Sequence, residues 1–82
     1  LEHEAATARL GAARARLDAG HDLVRTARAR LDAGEGSALE LVMSSRDVVE
    51  ASQMLREATV EAARARVRAA RAAGWPSAEA VR

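Results

Sequence analysis

The residues of this chain with chemistry to offer are few. They are two histidines, His3 and His21, two pairs of acids one helical turn apart, Asp18 with Asp22 and Glu57 with Glu61, and a run of arginines at 64, 66, 68 and 71. Imidazoles ligate divalent metals, paired carboxylates serve general acid–base catalysis, and clustered guanidiniums bind phosphate. Each use needs an arrangement as well as a residue type. His3 and His21 are eighteen residues apart, which on one helix is about 27 Å and too far to share an ion. The acid pairs have no nucleophile, positioned base or pocket beside them, so catalysis is not expected and no cofactor is implied. With no cysteine in the chain there is neither a disulfide framework nor a thiolate metal site.

Arg64, Arg68 and Arg71 share a helical face, and no acid stands between Glu61 and Glu79. That face suits the phosphates of nucleic acid or of an anionic lipid. No aromatic platform or recognition-helix pattern accompanies it, and the net charge is only +1. Nucleic acid is therefore not the expected partner; an acidic protein neighbour fits the same face. Arg14 with Asp18, Arg28 with Asp32, and Arg46 with Glu50 have the spacing of weak surface ion pairs.

The elements that must carry these residues follow from composition. Twenty-two of 82 residues are alanine and all thirteen basic residues are arginine. Both are strong helix formers, and the β-branched and aromatic residues that favour strands are scarce. An all-helical chain is expected. Alanine buries little apolar area, so a lone domain of this size and composition should be marginal without partners.

Periodicity supplies the pairing surface. Leu10, Leu17, Val24 and Leu31 recur every seven residues, with Ala13, Gly20, Ala27 and Gly34 three further on. Leu41, Val48, Leu55, Ala62 and Ala69 repeat the spacing, followed at three by Ser44, Ala51, Ala58, Ala65 and Ala72. Large residues at one position and small ones at the other mark closely packed helices. Met43 and Met54 read as seam or flank residues that fill gaps.

The stretch ARARLDAG occurs twice, at 13–20 and 27–34. The first copy has no cap after it, so the helix runs through Gly20. The second is followed by Glu35, Gly36 and then Ser37 with Glu40, an S-x-x-E capping box that starts a new helix. Leu31 and Leu41 also fit one continuous heptad, which leaves a straight rod as the alternative. The glycine pair and the box favour an all-α, long antiparallel two-helix coiled-coil hairpin that associates with other helices. Its expected parts are a first helix over 1–33, a turn at 34–36, a second helix over 37–73 and a tail over 74–82, where Gly74-Trp75-Pro76 is a helix stop. Each arm spans roughly 48 to 55 Å.

The stretch ARARLDAGEGSALELVMSSRDVVEASQMLREA, with the Ala-rich helix ending AAGW, resembles the last long hairpin of the TolC family of outer-membrane efflux proteins. Arg30-Leu31-Asp32-Ala33-Gly34 fits the segment closing the first helix, Ser37 to Val42 fits the restart, and Arg46 fits an arginine that follows. Leu31 stands where the family usually has an aromatic, and Ser44-Ser45 where Ala-Gln is common. The resemblance implies one hairpin of a periplasmic α-barrel, assembled from the hairpins of three protomers, whose glycine-containing tips meet a hairpin of a membrane-fusion adaptor. Carried onto this chain, the tip contacts are Gly34, Glu35, Gly36, Ser37, Leu39 and Leu41. Expected partners are then an adaptor-like helical protein and further copies, with no small-molecule substrate on this segment. The expected location is the periplasmic part of a bacterial envelope protein, of which this chain would be a piece. No run of apolar residues approaches a membrane span, so membrane contact would come only through other parts of that protein. A rod or junction component of a flagellar or type III secretion apparatus is a second resemblance, carried by GEGSALELVM and the amphipathic helix after it.

Overall fold

The computed structural model describes residues 2–74. Two helices, α1 Glu2–Asp32 and α2 Ala38–Ala72, fold back on each other as an antiparallel hairpin. The chain turns at the glycine pair and does not continue as a rod. α2, with 35 residues, is about 52 Å long. The ends obey ordinary capping chemistry. Ser37 sits in extended backbone at the N-cap of α2 and its Oγ accepts from the Glu40 N–H at 3.1 Å. At the other end Gly74 takes the left-handed conformation, φ +88, and its N–H bonds the Arg71 carbonyl at 3.0 Å. Trp75 and Pro76, the rest of the expected stop, lie outside the described residues, as do 77–82 of the tail.

Gly20 fixes the pairing. A Cβ built there would lie 3.2 Å from Val48 Cγ2, so the two backbones approach closely at this point. Steps of seven along both helices then set Ala13 across from Leu55 and Ala27 across from Leu41. The intervening layers pair Leu10 with Ala58, Leu17 with Ala51 and Val24 with Ser44. Each of these layers joins a large residue to a small one, which lets two slender helices touch without a thick core. Ser44 counts as small because its hydroxyl folds onto its own helix, donating to the Glu40 carbonyl at 2.8 Å.

Burial follows this division of labour. The buried side chains are alanines, Ala6, Ala27, Ala51, Ala62 and Ala65. The seam residues Leu10, Leu17, Val24, Leu31, Leu41, Val48 and Leu55 are half-buried, since a single partner helix covers only one side of each. A methyl group contributes about 0.8 kcal/mol on burial and a fully covered leucine roughly 1.5 to 3. The hairpin thus withholds much of its own apolar stabilisation until something else covers those leucines. Gly34, Ala69 and Ala72 share the heptad spacing but are exposed. Gly34 has left the helix as a cap, and α2 outruns α1, which has 31 residues.

Polar contacts are on the surface. Arg25 pairs with Asp22 one turn away, Arg68 with Glu61 at 2.9 Å, and Arg30 crosses to Glu40 at 3.5 Å. The i,i+4 pairs expected from Arg14, Arg28 and Arg46 do not form. These pairs are solvated and contribute at most about 1 kcal/mol each. The Ser37 cap matters more. Ser37→Ala removes the acceptor for Glu40 N–H and lowers stability by about 1 kcal/mol, read as a shift of the urea midpoint. Ser37→Asp keeps an acceptor and stays near wild type.

Candidate functional site

The corner is built by two glycines with different duties. Gly34 adopts φ +76, a conformation side chains disfavour. There its N–H bonds the Leu31 carbonyl at 3.0 Å, while Glu35 N–H reaches the Arg30 carbonyl at 2.8 Å. These two bonds close the end of α1 as a Schellman motif. Gly36 has ordinary backbone but no room: an added Cβ would meet Arg30 Cβ at 3.0 Å and Leu31 N at 3.2 Å. Its N–H shares the Arg30 carbonyl at 3.0 Å. The Arg30 guanidinium then reaches across to the Glu35 carbonyl at 3.4 Å and the Glu40 carboxylate. One residue thus ties the turn to both helices, and the corner is a defined shape instead of a loose loop.

On that shape Gly34, Glu35, Ser37 and Leu39 are exposed, whereas Gly36 and Leu41 are half-buried. Leu41 faces Ala27 in the seam, so its contribution to an outside contact is restricted to one edge. Val42, and Met43, expected at the seam or its flank, are 52% and 58% exposed just beyond the corner. With Leu39 and with Leu23 on α1, they make the end of the hairpin apolar as well as rigid. The signal for them was present: Val42 and Val49, like Val60 and Val67, also recur at seven, on a face away from the seam.

Elsewhere the chemistry-bearing residues are dispersed. His3 occupies a seam position with its Nδ1 covered and without a partner. No group of three or more His, Asp or Glu among the described residues is placed to hold a metal ion. Arg9 and Arg16 line one wall of an open groove and Glu57 and Glu61 the other. Arg16 lies against the Met54 sulfur, which makes Met54 a flank residue. Met43 is outside the seam. Arg64, Arg68 and Arg71 border a shallow groove with Val60 and Val67, and Arg68 is engaged by Glu61. No helix among the described residues is long and apolar enough to cross a membrane.

No family model, curated protein sequence or solved structure matches this chain. The functional reading therefore rests on the hairpin itself.

Proposed function

We propose that this chain is a structural and docking element, a helical hairpin of a TolC-like envelope duct whose corner contacts a helical hairpin of an adaptor protein. The observation that carries the reading is the corner: a Schellman turn closed by two glycines, tied by Arg30, with Leu39, Val42 and Met43 exposed beside it. A docking end needs a fixed shape to be recognised and apolar area to bury, and these residues supply both. The half-buried leucines of the seam support the rest of the reading, since helices so thinly covered are stabilised by lying among others. The periplasm is the proposed location on the strength of the resemblance.

Photo-crosslinking in the source cell tests this. A photoreactive residue at Glu35 or Leu39 is expected to capture an adaptor-type helical hairpin, while the same probe at Arg71 does not. Capture at Arg71 but not at the corner would defeat the reading in favour of the arginine face.

A further inference from the structure

The hairpin buries one face of each helix and leaves a second, equally periodic face uncovered. On α2 this face runs from Leu39 through Val42, Arg46 and Val49 to Val60, and all of these are exposed. On α1 it is made of small residues, among them Ala8, Ala19 and Ala29, and its only charge is Asp22. We infer that the uncovered face of α2 receives α1 of a second copy of this chain, the two hairpins lying side by side with their corners level. This rests on the proposed function only in treating the chain as a packing element, and it stands if corner docking fails.

Charge and size complementarity select the partner and its stagger. Give the second copy the stagger that Gly20 and Val48 establish within the hairpin. Leu39 then meets Ala29 of the second copy, Val49 meets Ala19, and Val60 meets Ala8, large on small as in the seam. In the same stagger Arg46, the charge that interrupts the α2 face near the corner, falls opposite Asp22, the charge that interrupts the α1 face. Along the edge, Glu50 falls beside Arg16, which within its own hairpin lies against Met54. Gln53 and Arg56 meet alanines, over which their stems can run out to solvent.

Other arrangements lose this match. Sliding one copy by a heptad sets Arg9 beside Arg64 and Arg46 against Ala29; sliding it the other way sets Arg46 against Ala15. Pairing α2 with α2 antiparallel over the whole of the face sets Arg46 against Arg56 and Glu50 beside its own copy. Like charges across an interface and a charge left unpaired in it both disfavour assembly. Because the contact joins different faces of the two copies, each added copy offers a fresh face and association proceeds beyond the dimer.

Sedimentation velocity over a wide concentration range, with circular dichroism on the same samples, tests the inference on the full chain. Wild type is expected to gain mass continuously past the dimer. Asp22→Arg and Arg46→Asp, both at exposed positions outside the seam, each weaken association at least about tenfold. The double variant D22R/R46D and an equimolar mixture of the two single variants both recover it, because each restores opposite charges across the contact. Mass unaffected by D22R, growth that stops at the dimer, or failure of the double variant to recover would each overturn the inference. None of these results bears on crosslinking at the corner.

Discussion

Gly20→Leu abolishes the pairing of the two helices. The Gly20 Cα faces Val48, with room for a Cβ only at 3.2 Å from Val48 Cγ2 and 3.9 Å from Val48 Cα. A leucine places three further carbons in that space, and the backbones must separate along the middle of the seam. Overpacking costs about 1 to 3 kcal/mol where a core can adjust. Here separation also uncovers the flanking layers, Leu17 with Ala51 and Val24 with Ser44. A hairpin whose buried side chains are alanines has little surplus to absorb this. The expected result is loss of the cooperative urea transition and a large fall in helical ellipticity. Gly20→Ala separates crowding from glycine chemistry. Its Cβ needs Val48 to give by a few tenths of an ångström, and the gain in helix propensity, about 1 kcal/mol, offsets that cost. Stability of G20A should remain within about 1 kcal/mol of wild type. A leucine variant that melts like wild type would show that the helices are not in contact at Gly20.

Replacing both corner glycines by alanine converts the hairpin into a long rod that pairs with a second rod. Gly34→Ala forces a side chain into the left-handed region, which costs roughly 1 to 2 kcal/mol. Gly36→Ala drives a methyl against Arg30 Cβ and the backbone of Leu31, and backbone cannot swing away as a side-chain tip can. The same two changes favour a continuous helix through the corner by about 1 kcal/mol each. The balance between turn and rod thus moves by about 4 kcal/mol in sum, on the order of the stability of so small a fold. In the straight form α1 of one chain can pair with α2 of another through the same large-on-small layers, an exchange of identical elements. Labels at Ala5 and Ala63 lie near each other in the hairpin and about 87 Å apart within a rod. Intramolecular energy transfer, measured with labelled chain diluted in unlabelled chain, should collapse for the G34A/G36A double variant. Retention of high transfer would show that the corner does not depend on its glycines.

Much of the fold was legible because helix pairing is written at fixed spacing. Leu10, Leu17, Val24 and Leu31 announce one face, Leu41, Val48 and Leu55 another, and Ser37 with Glu40 marks a start that nothing in the chain contradicts. Two glycines two residues apart suggested a turn, but spacing gave no means of telling their roles apart. Only coordinates show that Gly34 serves a backbone angle and Gly36 a close approach. The apolar surroundings of the corner were half legible. Leu39 follows from the resemblance, whereas Val42 and Met43 lie off the seam spacing, and their exposure beside the corner depends on how the helices pair. The ion pairs were the least legible, because solvated arginines reach several acids at nearly equal free energy. Arg30 chose Glu40 across the hairpin, a partner distant from any i,i+4 rule.

By itself the sequence determined that the chain is helical and that each half carries a face of alternating large and small residues, and it favoured a break near residue 35 over a straight rod. Those are properties of one helix, set by propensity and by the 3.6-residue turn. The tertiary structure alone decided which residue meets which: the stagger that brings Gly20 against Val48 and gives Leu10, Leu17, Leu41 and Leu55 alanine partners. It also decided that alanines are covered while large residues remain partly open to solvent. The physical reason is that burial belongs to pairs of surfaces. No spacing along one chain states how closely a second helix can approach, and here absent or small side chains at 20, 27 and 51 set that distance.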